Sequence, residues 1–235
     1  MLYIIPPTNR RLVWYLAMEE YLAKHVEEEM FVTWIVSPTV IFGRHQVMEA
    51  EVNMAYCRDN NIATYRRKSG GGCVYADEGN LMMSLISPDV HSEQVFQHYL
   101  DRMSDFLRHL GYDAVKSTHN DIMIGQHKVS GNACFALPTG TIVHGTLLYN
   151  VDYAVLQQAI TPSQEKLAKH GVESVRQRVI NIHDIEGTSI ASTTDLAHAV
   201  QQYWSNELLS LSEDDMHQID AIEQEYLDPA FILSR

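Results

Sequence analysis

Cysteine is scarce in this chain of 235 residues: Cys57, Cys73 and Cys134 are the whole complement. Thiols so few and so widely spaced build neither a disulfide framework nor the close pairs of a structural zinc site. That usage suits a reducing cytoplasm, which is the expected location. Long apolar runs are missing as well. No stretch approaches the roughly 18 apolar residues of a membrane span, and the short apolar run at residues 1–7 has no basic residues ahead of it, so it reads as neither signal peptide nor span. Basic charge is also in short supply, with 17 Lys and Arg against 30 Asp and Glu and a net charge of -13. Nucleic acid and membrane surfaces are themselves anionic, so neither is an expected partner. Apolar residues at 46% and charged residues at 20% are ordinary for a globular domain, which sets aside disordered, collagenous and coiled-coil classes.

The charge is unevenly placed. Acids crowd residues 19–29 and the last segment from Glu213 onward, while basic residues gather at Arg66, Arg67 and Lys68, at Lys128, and along residues 166–178. Apolar spacing predicts a helix over residues 10–28, a short one over 52–61 and a strong amphipathic one over 92–110 stopped by Gly111. Strands are expected at 2–5, 31–36, 39–43, 63–66, 73–75, 81–86, 122–124, 127–136 and 141–150, the last two joined by a Pro138-Thr139-Gly140 turn. Beyond Asp152 the pattern is mostly helical, clearest over 194–209 and 213–227. With no repeat and no linker-like stretch, the expectation is one α/β (α+β) domain over residues 1–235, with an antiparallel-rich mixed central sheet flanked by helices.

Three segments carry chemistry. In Arg66-Arg67-Lys68-Ser69-Gly70-Gly71-Gly72-Cys73-Val74-Tyr75 the successive glycines remove every Cβ from a turn, so backbone N–H groups can converge on an anion. Arginines at the adjoining strand end can grip a phosphate or carboxylate. No Gly-Lys-Ser/Thr follows to open a helix, so the segment is not a P-loop. In the second segment, residues 120–133, Lys128 precedes small and apolar residues. It reads either as an exposed hairpin lysine or as an ammonium set against an anion. The third is His144-Gly145-Thr146-Leu147-Leu148, a polar pair leading into an apolar strand. An anion cradle with an isolated lysine suggests activation of a carboxylate by a nucleotide, the ammonium countering charge as a mixed anhydride forms.

In this order the three segments resemble the lipoate–protein ligase family, within the biotin/lipoate ligase superfamily. Arg66 to Asn80 follow its Arg-Arg-x-Ser-Gly-Gly-Gly motif, His119 to Ala133 its Asn-Asp…Lys-Val-Ser-Gly motif, and His144 to Leu148 its His-Gly-Thr-Leu-Leu motif. Support comes from residues 16–20, 43–46 and 166–179. The resemblance implies an enzyme of the biotin/lipoate ligase fold that activates lipoate with ATP as lipoyl-AMP. The lipoyl group then passes to a lysine of a lipoyl-carrier domain, of a 2-oxoacid dehydrogenase or a glycine-cleavage H-type protein. Mg²⁺ is implied as the phosphate counter-ion.

Carried over by resemblance, Lys128 is the catalytic residue, contacting both the α-phosphate and the lipoyl carbonyl. Arg67, Gly72, Cys73, Val74, Tyr75, Asn120 and Asp121 are expected on the nucleotide, and Ser69, Gly70, Gly71, Ser130, Gly131, His144 and Gly145 on the lipoate. The family's usual residues are replaced at Cys73, Ala76 and His119. An accessory C-terminal domain, common among bacterial members, is not expected within these residues, so a separate accessory chain is a candidate partner. The alternative reading is an ATP-independent lipoyl or octanoyl transferase working between carrier proteins. A thioester route would fall to Cys134. Charge complementarity makes residues 166–178 the expected docking stretch for the carrier.

Overall fold

The computed structural model describes residues 1–117, 120–160, 179–187 and 189–234. The first described elements are β1 (Leu2–Ile5), α1 (Leu12–His25), β2 (Met30–Trp34), β3 (Thr39–Phe42), α2 (Met48–Glu51), α3 (Met54–Asp59) and β4 (Ala63–Arg66). Next come β5 (Val74–Ala76), β6 (Asn80–Ser87), α4 (Ser92–His109), β7 (Ala114–Lys116), β8 (Asp121–Ile124), β9 (His127–Leu137) and β10 (Gly140–Leu148). After α5 (Tyr153–Ala159) and a 3₁₀ turn at Ile182–Asp184 follow α6 (Thr193–Trp204), β11 (Leu208–Ser210), α7 (Glu213–Leu227) and α8 (Pro229–Ile232).

Eight strands form the main sheet, in the order β11-β1-β2-β6-β10-β9-β8-β7. The β11-β1-β2 edge is parallel and the rest antiparallel, the antiparallel-rich mixed architecture the sequence predicts. Alternation along each strand decides which helices cover which face. From β6, Leu81, Met83 and Leu85 enter the core under α4 and α6, while Met82 and Ile86 pack with α1 and α7. Cover on both faces explains why β6 is buried from end to end, apolar on both sides of Ser84.

The two covering layers are held differently. Helix α4 lays Val95, Phe96, Tyr99, Leu100, Met103, Phe106 and Leu107 on one stripe, each worth about 1.5–3 kcal/mol on burial. Helix α1 is buried nearly all round, because α7 covers its outer side. Polar contacts bolt that pair together: Trp14 Nε1 donates to Asp220 at 2.6 Å, Tyr21 to Asp215 at 2.5 Å, and Arg11 pairs with Glu223 at 3.1 Å.

A second, three-stranded sheet runs β4-β3-β5, with β3 parallel to β4 and antiparallel to β5. The sequence pattern predicts one central sheet and does not mark this second one. The glycine loop joins β4 to β5 and must therefore pass over the end of β3, where Gly43 lies. A Cβ on Gly43 would stand 2.3 Å from the Gly71 carbonyl oxygen, so only glycine admits the crossing.

Helix α6 ends at Trp204, short of the predicted 209. Ser205 is extended (φ -163°, ψ 144°), its hydroxyl donates to the Met1 carbonyl at 2.8 Å, and Leu208–Ser210 add to β1 as a parallel edge strand. Pairing with β1 here overrides helical periodicity. Strand β7 and helix α2, at three and four residues, are too short to leave a periodic signal.

Candidate active site

Of the basic triplet at the end of β4, each member turns to the protein. Arg66 is buried with its ring partner Phe42 4.7 Å below, and donates to the carbonyls of Arg44 (2.7 Å), Gln46 (2.9 Å) and Ile232 (2.9 Å). Lys68 Nζ bridges Glu20 and Glu225, both at 2.7 Å, over the ring of Tyr226. Arg67 lies behind the glycine loop. Its Nη2 donates to the carbonyls of Gly70 and Gly72 at 2.7 Å, its Nε to the Ser69 hydroxyl at 3.1 Å, and its Nη1 to Ile41 at 3.3 Å. Burial pushes the guanidinium down to about 10, which leaves it charged at neutral pH.

That arrangement orients the loop. In a trans peptide the carbonyl of one residue and the N–H of the next point to opposite sides, and no cis bond occurs among the described residues. Drawing the Gly70 and Gly72 carbonyls onto Arg67 turns the N–H groups of Gly71 and Cys73 away from it. Gly71 holds the left-handed φ of 90° this needs. A Cβ there would meet Arg67 Nη2 at 2.9 Å and Ala133 Cβ at 3.9 Å.

Lys128 is the second residue of β9, pairing with Met123 beside a register irregularity in the β8–β9 ladder. Its ammonium pairs with Asp121 at 2.8 Å, the two side chains 32% and 18% exposed. The ammonium lies against Gly131, where a Cβ would come within 2.8 Å of Nζ. Gly131 and Ala133 are alternate residues of one strand, so they share a face about 7 Å apart. The Lys128 ammonium and the glycine loop therefore stand over the same face of β9. Asn120, at a left-handed φ of 67°, turns the chain into β8, and its carbonyl accepts from Asn132 Nδ2 at 2.9 Å.

The two neighbours His144 and Gly145 lie on opposite faces of β10. His144 is on the α1 side with Ala133 and Ser84 beside it. Its Nε2 meets the Ser69 hydroxyl at 2.7 Å and its Nδ1 meets Glu19 at 2.9 Å. Gly145 is on the α4 side, where a Cβ would fall 1.9 Å from Asn132 Oδ1 and 2.7 Å from the Tyr99 hydroxyl. The fully buried Tyr99 hydroxyl has no hydrogen-bond partner among the described residues. Ser130 is also buried, donating to Asn132 Oδ1 at 3.2 Å.

Val74 is half-buried, and Tyr75 sends its side chain into the core around β3 and α3, so only its backbone remains for a ligand. Ala76 packs against α1, which fills with core a position where the resembling family carries histidine. Burial raises the Cys134 thiol to about 11, leaving little thiolate at neutral pH. A cavity of about 690 Å³ between Asp77, Glu78, Asp152 and His183 is lined with carboxylates and would repel an anionic nucleotide. Among the described residues no group of three or more His, Cys, Asp or Glu could hold a metal ion, and no helix is long and apolar enough to cross a membrane. His119 and the basic stretch at 166–178 lie outside the described residues.

Three participants lie inside the matched segments yet are not among the expected site residues. Gly43 and Asn132 act through close approach, which no composition signal marks. Glu19 had one: it continues the apolar stripe Leu12, Leu16, Ala23 of α1, an acid where periodicity places core.

A family model described as the lipoyl protein ligase A/B catalytic domain matches residues 13–205. The chain is 41% identical to lipoate–protein ligase 1 of Staphylococcus aureus over 172 residues, 72% of this chain and 52% of that protein. It spans about half to two thirds of the length of such curated relatives. Among solved structures, a bi-partite lipoate protein ligase from Thermoplasma acidophilum, described with its E2 lipoyl domain, superposes with a TM-score of 0.86 at 24% identity. It covers 100% of this chain and 97% of its own. A lipoate-protein ligase A bound with ATP superposes with a TM-score of 0.83 at 23% identity, covering 99% and 98%. At these identities the likeness is one of fold.

Proposed function

Because the chain belongs to the lipoyl protein ligase A/B catalytic-domain family, we propose that it activates lipoate with ATP and transfers the lipoyl group to a carrier lysine. The observation that carries this reading is the common face of β9, with the Lys128 ammonium at Gly131 and the glycine loop at Ala133. A cation and a row of N–H groups about two residues apart suit a mixed anhydride, whose α-phosphate and acyl oxygen both carry negative charge.

In the first step a lipoate carboxylate oxygen attacks the α-phosphorus of ATP, and pyrophosphate leaves. Lys128 leaves Asp121 and sits between the α-phosphate and the acyl oxygen, while Asp121 keeps the ammonium aimed before substrate arrives. The N–H groups of Gly71 and Cys73 donate to phosphate oxygens, with Gly72, Val74 and Tyr75 contributing backbone only. Arg67 serves the nucleotide through the loop, as a buried cation that fixes which way its amides point. Ser69, Gly70 and His144 form the wall behind, Gly131 leaves room for the ammonium and Asn120 turns the chain into β8, while Ser130 and Gly145 lie on the opposite, α4 face of the sheet. In the second step the carrier lysine attacks the acyl carbon and AMP departs with the bridging oxygen.

Mg²⁺ needs few protein ligands when phosphates supply the rest; the single carboxylate of Asp121 would hold the ion, which would supply neutralising positive charge to the ATP phosphates. The lipoyl carrier, of a 2-oxoacid dehydrogenase or glycine-cleavage type, is the acceptor, and residues 1–235 work as one catalytic domain. As in the Thermoplasma ligase described as bi-partite, a second chain is a candidate requirement for the adenylation half.

Pyrophosphate release from ATP in the presence of lipoate, with and without candidate second chains, tests the reading. Lipoate-dependent release is the expected result. Transfer from a lipoylated or octanoylated carrier without any ATP dependence would replace it with the transferase reading.

A further inference from the structure

Beneath the glycine loop an unbroken line of hydrogen bonds runs through the interior. The Ser84 hydroxyl donates to Glu19 Oε1, Glu19 Oε2 meets His144 Nδ1 at 2.9 Å, His144 Nε2 meets the Ser69 hydroxyl at 2.7 Å, and Arg67 Nε donates to that hydroxyl at 3.1 Å. Glu19 and Ser69 are each only 2% exposed. The connectivity matches a serine–histidine–carboxylate triad, but Arg67 occupies one lone pair of the Ser69 oxygen and burial withdraws it from substrate. The line serves the loop and supplies no nucleophile.

Each member's polarity follows from its neighbours. An ionised carboxylate only accepts, so Glu19 accepts one hydrogen bond from the Ser84 hydroxyl and one from His144 Nδ1–H. With its proton on Nδ1, the neutral ring presents a bare Nε2, and the tautomer is set by the bond the other nitrogen makes. Ser69 must then donate to Nε2, which turns a lone pair toward Arg67 Nε. The guanidinium, fixed on that side, keeps Nη2 on the Gly70 and Gly72 carbonyls.

We propose that Glu19 is a positioning residue for nucleotide binding: by holding His144 in its Nδ1–H form it locks Ser69 and Arg67, and through them the outward N–H groups of the glycine loop. The residue lies on α1, 125 positions before His144 and about fifty before Arg67 and Ser69 in sequence, and touches neither Lys128 nor the loop backbone. The affinity part of this inference rests on the ligase reading; the tautomer does not.

Nitrogen-15 NMR of histidine-labelled protein near neutral pH, with the His144 signals assigned by their loss in His144→Gln, reads the ring directly. A proton on Nδ1 and a bare Nε2 are expected. In Glu19→Gln the side-chain amide can donate to Nδ1, so the proton moves to Nε2, Ser69 loses its acceptor, and ATP affinity by calorimetry falls about tenfold, equal to about 1.4 kcal/mol. A wild-type ring protonated on Nε2, or on both nitrogens, overturns the relay whether or not Glu19→Gln folds. A folded Glu19→Gln protein with unchanged ATP affinity overturns the positioning role. Wild-type protein that binds no ATP while showing the Nδ1–H ring would instead remove the ligase reading and the affinity claim with it.

Discussion

The Lys128 ammonium stands 2.8 Å from the Asp121 carboxylate, across the β8–β9 hairpin and over the face that the glycine loop covers. A part-exposed pair of this kind contributes about 0–1 kcal/mol to stability, so its value is in aiming a charge. Lys128→Ala is expected to lower lipoyl-AMP formation by at least about a hundredfold, as for loss of a preorganised charge at a developing oxyanion. Its thermal midpoint should stay close to wild type. Full activity in the folded variant would remove Lys128 from the reaction.

Gly43→Ala places a methyl group 2.3 Å from the Gly71 carbonyl oxygen. Backbone cannot yield as a flexible side chain can, so the crossing loop must lift from β3. The expected result is a stability loss of about 1–3 kcal/mol with ATP affinity weakened well beyond that of Gly70→Ala, where a Cβ meets nothing within 4 Å. Calorimetry on the two variants side by side makes the comparison.

Arg67→Lys tests the loop-aiming role. Lysine keeps the charge but cannot reach Ser69, Gly70 and Gly72 from one planar fork. ATP binding should fall as far in Arg67→Lys as in Arg67→Met; if lysine sufficed, the guanidinium would be acting as charge alone.

The clamp that Lys68 makes with α1 and α7 predicts an acid response. Burial raises Glu20, but its bonds to Lys68 and Lys24 prevail and hold it below the ordinary carboxylate range. A carboxylate lowered in the fold stabilises above its unfolded value near 4.5 and loses that contribution as pH falls through the folded value. Lys68→Met should therefore cost about 1–3 kcal/mol at neutral pH, with the gap from wild type closing as pH drops below that range in thermal melts.

Cys134→Ser should leave lipoyl transfer unchanged. Its thiol, held up to about 11 by burial, carries too little thiolate for a thioester route. A dead but folded variant would favour that route.

The ordered motifs made the family and the central sheet legible, because periodicity and glycine spacing are local properties. Direction was not. Arg66, Arg67 and Lys68 read as charge offered to an anion, whereas carbonyls and carboxylates from α8, the loop, α1 and α7 claim all three. Those partners are distant in sequence, so no local pattern records them. His144 and Gly145 differ: adjacent in the motif, they lie on opposite faces of β10 because strand side chains alternate, and only their partners on α1 and α4 are hidden from the local pattern.

The most direct measurement is a crystal structure of the protein with a non-hydrolysable lipoyl-AMP analogue. The account predicts Lys128 Nζ within hydrogen-bond distance of both the α-phosphate and the acyl oxygen, the Gly71 N–H on a phosphate oxygen, and Arg67 still on the Gly70 and Gly72 carbonyls. An analogue held by the Arg67 guanidinium itself, with Lys128 left on Asp121, would contradict it.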